Sequence, residues 1–165
     1  KFVSNVKLNR TSYTYTGKSI RPSVTVTVNG KKIGSSAYKL YYKNNKNSGI
    51  GTVQVRGTGK YSRINKTLTF KILPPKTLLT GLKKANRSFT ASWKKNIQAT
   101  GYQIQYAASR SMRGARTVST SALTRTLSGL KKGSTYYVCI RAYKKVSGKT
   151  YYGAWSSVKN AKVRK

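Results

Sequence analysis

Polar and apolar residues alternate at every second position through much of the chain. Ser23–Val28 (SVTVTV), Tyr38–Tyr42 (YKLYY), Thr52–Arg56 (TVQVR) and Thr67–Ile72 (TLTFKI) each set β-branched, leucine or aromatic side chains on one side of an extended backbone. Ser88–Trp93 (SFTASW), Tyr102–Tyr106 (YQIQY), Arg116–Ser119 (RTVS) and Thr135–Tyr143 (TYYVCIRAY) repeat the pattern. A period of two marks a half-buried strand. Gly, Asn, Ser and Lys clusters separate the runs, and no stretch holds a 3.6-residue apolar period for three turns. The pattern predicts an all-β protein.

The runs fall into two groups around Leu73-Pro74-Pro75-Lys76. Two successive prolines cannot occupy a central strand, and they stiffen an extended connection. The expected organisation is a β-sandwich over residues 1–73, a Pro-Pro linker over 74–77 and a second β-sandwich over 78–165. Each half has the length and turn spacing of a small sandwich of short strands.

Composition alters the picture through charge. The 165 residues include 35 Lys and Arg but no Asp, Glu or His, giving a formal charge of +35. An ordinary soluble chain of this size would carry about 20 carboxylates. The gap reflects selection or design. The basic residues number 15 before the prolines and 20 from there on, so both halves carry the charge. The same gap excludes most enzyme chemistry. General acid–base catalysis draws mainly on His, Asp and Glu, and neither a Ser–His–Asp triad nor a pair of glycosidase carboxylates can be assembled. Metal sites would lack carboxylate and imidazole ligands, so no cofactor or metal is expected and the chain reads as non-enzymatic. The single cysteine, Cys139, permits no internal disulfide. No apolar run approaches the length of a membrane span. The chain opens at Lys1 without a signal peptide and reads as a segment of a longer protein.

Three motifs in the second half carry a resemblance. Phe89-Thr-Ala91-Ser-Trp93, Ala99-Thr-Gly-Tyr102-Gln-Ile104-Gln-Tyr106 and Leu130-Lys-Lys-Gly-Ser-Thr-Tyr136-Tyr-Val138-Cys-Ile140-Arg-Ala142 occur in the order and at the spacing of the second, third and sixth strands of a fibronectin type III domain. The resemblance implies a seven-stranded sandwich with Trp93 in its core and Tyr136 as the corner tyrosine, its hydroxyl tied to backbone. Alternation along the sixth strand then sends Val138, Ile140 and Ala142 inward and Tyr137, Cys139, Arg141 and Tyr143 outward. In the first half, Tyr42-Lys-Asn44-Asn45-Lys-Asn47-Ser-Gly49 and Thr52-Val53-Gln-Val55-Arg-Gly57-Thr-Gly59-Lys-Tyr61 resemble the immunoglobulin-like repeats of bacterial cell-surface proteins. Their Asn and Gly residues suit turns that need positive φ. Such tandem modules are similar to the stalk and adhesive parts of wall-associated proteins of Gram-positive bacteria, which implies an extracellular or cell-wall location.

Two clusters stand out from the dispersed charge. Arg110, Arg113 and Arg116 fall within seven residues of a connection expected to be flexible, where guanidinium forks suit phosphate or sulfate. Arg141, Lys144, Lys145, Lys149, Tyr151 and Tyr152 interleave cations with aromatic rings over a strand, a hairpin loop and the start of the last strand. Rings beside cations can stack bases or sugars while the cations meet the phosphates. Trp155 over Arg141 would instead be an internal contact that pins the sheet edge, and Arg141 is expected to lower the pKa of the Cys139 thiol slightly. The leading reading is a module that binds anionic polymers: nucleic acid backbone, teichoic acid, or sulfated or sialylated glycans. A passive stalk held near an anionic wall by charge, and an engineered acid-free scaffold, are the alternatives.

Overall fold

Each alternating run forms a strand in a computed structural model that describes residues 1–164. The chain is nearly all-β and divides into two units, Lys1–Leu73 and Pro74–Lys165, each a β-sandwich.

The first unit contains β1 (Ser4–Leu8), β2 (Ser12–Thr14), β3 (Val24–Val28), β4 (Lys31–Lys32), β5 (Tyr38–Lys43), β6 (Gly49–Gly57) and β7 (Asn65–Leu73). One sheet has the order β1-β3-β4 and the other β2-β7-β6-β5, with β2 parallel to β7 and the other pairs antiparallel. The inward-facing Val24, Val26, Val53, Val55 and Ile64 are buried and form the core, with Leu40, Tyr42 and Leu68 against them. Asn44 (φ 51°) and Gly59 (φ 53°) occupy the left-handed conformation expected of this region. Gly57 is required for a different reason: a Cβ there would lie 1.9 Å from the Tyr61 carbonyl oxygen. Asn29 and Gly30, both with positive φ, make the two-residue turn that joins β3 to β4.

The second unit contains β8 (Leu79–Ala85), β9 (Ser88–Trp93), β10 (Gly101–Ala107), β11 (Arg116–Thr120), β12 (Thr124–Leu127), β13 (Thr135–Val146), β14 (Lys149–Tyr152) and β15 (Lys159–Lys162). Its sheets are β12-β9-β8 and β11-β10-β13, with β14 and β15 both pairing β13. The last edge is thus one strand interrupted around Ser156, whose backbone and hydroxyl bond Ile140. Val138, Ile140 and Ala142 are fully buried against Phe89, Ala91, Ile104 and Trp93. Trp93 is 4% exposed and its ring lies 5.5 Å from that of Tyr102. The Tyr136 hydroxyl accepts a hydrogen bond from the Lys131 backbone N–H at 3.2 Å.

Two expectations need correcting. Residues 74–77 are not a free linker. Pro74 and Thr77 are buried, and the Pro75 carbonyl accepts a bond from Asn96 Nδ2 at 2.8 Å, so the segment is docked onto the second unit. Tyr151 and Tyr152 lie on the strand that follows the hairpin and not in its loop. Ser147 and Gly148, both at positive φ, close a two-residue turn, and the chain resumes pairing at Lys149.

Candidate polyanion interface

The arginine cluster begins where β10 ends. Residues 108–115 make two successive turns: Met112 N–H donates to the Ser109 carbonyl at 3.0 Å, and Ala115 N–H to the Met112 carbonyl at 3.2 Å. Met112 and Gly114 take positive φ to make this path, and the Ser109 and Ser111 hydroxyls bond at 2.9 Å. Arg110 and Arg113 are exposed on these turns, and Arg116 opens β11. Arg116 also lines a polar cavity of about 170 Å3 with Tyr106, Tyr136, Gly114 and Gly129. A guanidinium offers paired N–H donors to a phosphate or sulfate oxygen pair, and a cavity of this size admits one such group.

The second cluster is arranged differently. Arg141 points outward from β13, but its guanidinium is engaged by its own protein. Nε and Nη2 both donate to Gln103 Oε1, at 2.9 and 2.7 Å, across the β10–β13 ladder that pairs the two residues. Its Cζ lies 4.0 Å from the Tyr152 ring centroid and 4.4 Å from that of Trp155. Burial lowers the Arg141 pKa, opposed by the neighbouring Tyr152 and Cys139. This is the internal contact anticipated for Trp155, extended by a second ring.

The stack removes two residues from the candidate set as first drawn. Arg141 has Nε and Nη2 bonded to Gln103 and both neighbouring rings against its guanidinium. Tyr151 lies opposite Lys144 on the core-facing side of β14 and is buried, so its ring is closed to a ligand. Tyr152 is 38% exposed, with Arg141 over its ring. Lys144 is half-buried and Lys149 exposed; Lys145 has its Nζ 5.8 Å from the Tyr143 ring centroid and its N–H on Thr100 Oγ1. Cys139, which alternation correctly turns to the same face as Arg141, is only 4% exposed, with its Sγ 3.9 Å from Gln105 Oε1. Burial raises the thiol pKa and outweighs the opposing Arg141 charge, contrary to the lowering expected from sequence.

The two clusters do not form one surface. Arg116 is level with Tyr106, and Tyr106 with Val138. Lys144 and Lys145 lie six and seven residues farther along β13, roughly 20–24 Å at the rise of a strand. The clusters therefore occupy opposite ends of the sheet. Gln103, the partner that fixes Arg141, was missed from sequence. Its outward place in Tyr102–Tyr106 is visible in the alternation, but the register opposite Arg141 is not.

With no carboxylate side chain available, ring faces take over the role of ion-pair partners. Arg10 lies over Tyr13, Arg56 over Tyr41 and Lys60 over Tyr61, in addition to the contacts of Arg141 and Lys145. Proteins of this length ordinarily show about two significant contacts of this kind, so the described residues are rich in them.

The family model for the fibronectin type III domain matches residues 74–158. Among solved structures, the FN1-FN3 domains of chicken CNTN1 align with 72% of this chain and 42% of their own, at 20% identity and a TM-score of 0.49. This chain thus spans less than half of that one. The FN5 domain of Drosophila Lar aligns over 56% of this chain and 99% of its own, at 18% identity and a TM-score of 0.46. The sixth fibronectin type III domain of human fibronectin type III domain containing protein 3 aligns over 55% and 86%, at 15% identity and a TM-score of 0.47. No curated protein matches the chain.

Proposed function

Because the chain belongs to the fibronectin type III family through residues 74–158, whose domains are generally non-catalytic, we propose that it is an extracellular module that binds anionic polymers. In this reading the first unit is an immunoglobulin-like repeat of the kind carried by wall-associated proteins of Gram-positive bacteria. The ligands are teichoic acid, nucleic acid backbone, or sulfated or acidic glycans. The observation that carries the proposal is the Arg110–Arg116 double turn. It holds three guanidiniums on a hydrogen-bonded frame, with one beside a polar cavity of the size of a phosphate or sulfate group. The uncompensated charge of +35 supplies long-range attraction, which falls with salt.

The passive-stalk reading draws support from the internal engagement of Arg141 and the burial of Tyr151. Two double mutants of equal charge separate the readings. Arg113→Ala with Arg116→Ala is expected to lower affinity for DNA, heparin and teichoic acid more than Lys31→Ala with Lys32→Ala does, across a salt series. Equal losses with parallel slopes and no preferred polymer would show that only net charge matters, and would return the chain to a stalk or a designed scaffold.

A further inference from the structure

The outward face of β2-β7-β6-β5 in the first unit carries a second arrangement of cations and an aromatic ring. On the edge strand β5, alternation turns Tyr38, Leu40 and Tyr42 to the core and Lys39, Tyr41 and Lys43 outward, and these last three are exposed. The β5–β6 register sets Lys39 opposite Arg56, Tyr41 opposite Gln54 and Lys43 opposite Thr52. The next strand continues the rows with Asn65, Thr67 and Thr69. Neighbouring strands are about 4.8 Å apart and outward positions on one strand about 7 Å apart. Three cations thus surround one ring beside amides and hydroxyls, and the exposed Lys71, opposite Ile50, adds a cation one row farther along.

Two features distinguish this face from ordinary solvated charge. Lys39 and Arg56 are direct cross-strand neighbours of like sign, an arrangement that disfavours the sheet. Tyr41 is 46% exposed with Arg56 over its ring at 5.4 Å, so a large apolar surface stands open in the middle of the cations. Packing explains neither feature, because the core of this sheet is built from the opposite side of each strand. A ligand that brings anions at strand-like spacing together with a flat apolar ring would relieve the repulsion and cover Tyr41. Single-stranded nucleic acid has that chemistry: phosphates for Lys39, Lys43 and Arg56, and a base for Tyr41. The flanking Gln54, Thr52 and Thr67 offer hydrogen bonds to base edges or sugar.

We propose that the outward face of β5 and β6 is a single-strand nucleic-acid site, with Tyr41 as the stacking platform and Lys39, Lys43 and Arg56 as the phosphate contacts. The inference rests on the reading that the chain binds polyanions, and it assigns part of that binding to a surface remote in sequence from the arginine turns.

The test uses the full chain, an oligothymidylate and an abasic strand of equal length and charge. Tyr41→Ala is expected to weaken oligothymidylate binding about tenfold, within the range for one stacked base, and to leave abasic-strand binding unchanged. Tyr41→Phe should remain within about twofold of the parent chain. Lys39→Ala with Arg56→Ala should lower the salt slope by about 1.4, the value for two phosphate contacts on a single strand, whereas Lys31→Ala with Lys32→Ala on the opposite sheet should barely move it. Thermal melts of each variant exclude unfolding, and Lys39→Gln with Arg56→Gln repeats the charge test with longer side chains. Equal loss on both strands after Tyr41→Ala overturns the proposal, as do equal slopes for the two lysine and arginine pairs. Binding to heparin but to neither strand overturns it while leaving polyanion binding intact. Failure to bind DNA, heparin or teichoic acid at all removes both readings.

Discussion

Arg56 and Arg141 occupy matching situations on the larger sheets of the two units, and they meet opposite fates. Each points outward from a central strand beside a tyrosine. Arg141 has a glutamine directly opposite, two rings against its guanidinium and a buried thiol next to it on the strand. Arg56 has a lysine opposite on β5, one ring that is 46% exposed, and on β7 an asparagine whose amide oxygen accepts from Gln54. In a chain without carboxylates, a surface arginine is either neutralised by amide oxygens and ring faces or left to an external anion. Cross-strand neighbours decide which. Counting cations therefore says little about where a polyanion would bind, and register says much more.

The comparison can be broken first at its support. Trp93 packs on Tyr102, which occupies the core side of β10 one residue before Gln103. Trp93→Ala is expected to cost about 3–5 kcal/mol, as for other large buried aromatics, read from urea melts of the full chain. A loss below about 1 kcal/mol would mean that the closed face does not depend on the core beneath it.

The next test exchanges the two arginines. Arg141→Ala removes two charge-assisted hydrogen bonds and two ring contacts at a partly buried position, and should cost about 1–3 kcal/mol. Arg56→Ala relieves a like-charge neighbour and should change stability by no more than about 0.5 kcal/mol in either direction. Its effect should fall on polyanion binding, where Arg141→Ala has little. Similar stability losses for both would erase the distinction between the faces.

The central strands of both units were legible in the sequence because their alternation is strong. Val53, Val55, Phe89, Ile104, Val138 and Ile140 all lie where period two puts them. The edges were not. β2, β4, β8, β12 and β15 are short or rich in Lys, Arg, Thr and Gly, and they form because a neighbouring strand offers an unpaired ladder, which no local pattern reports. The interrupted last strand of the second unit was concealed in the same way. Its turn, Ser147-Gly148, lacks the Asn-Gly or Asp-Gly signal that would have placed Tyr151 and Tyr152 on a strand. For the candidate site, residue types were readable but the environment was not. Lys39, Tyr41 and Lys43 were on view in YKLYYK, yet their neighbour Arg56 is 17 residues from Lys39, and only the register brings them together.

The smallest expected effect concerns pH, and it sharpens the comparison because each of the two sheets carries one group with a raised pKa. Burial raises Tyr42 on the core side of β5, against an opposing effect of Arg21, and its hydroxyl donates to the Pro22 carbonyl at 2.8 Å. Burial likewise raises Cys139 on β13. Each folded group holds its proton more tightly than the unfolded chain does. Its contribution is therefore complete below the unfolded pKa, about 8.5 for Cys and 10 for Tyr, and is lost as pH rises through the folded value. Between about pH 3 and 7 no side chain of this composition changes charge, so stability should be flat where ordinary proteins undergo acid denaturation. Above that range the first decline should come from Cys139 and the second from Tyr42, partly offset as lysine charge is lost and self-repulsion falls. Melting temperatures at fixed ionic strength would show this, with Cys139→Ala removing the earlier decline and Tyr42→Phe the later one. A steep fall between pH 6 and 3, or alkaline curves unchanged by either substitution, would contradict the assignment of these two buried groups.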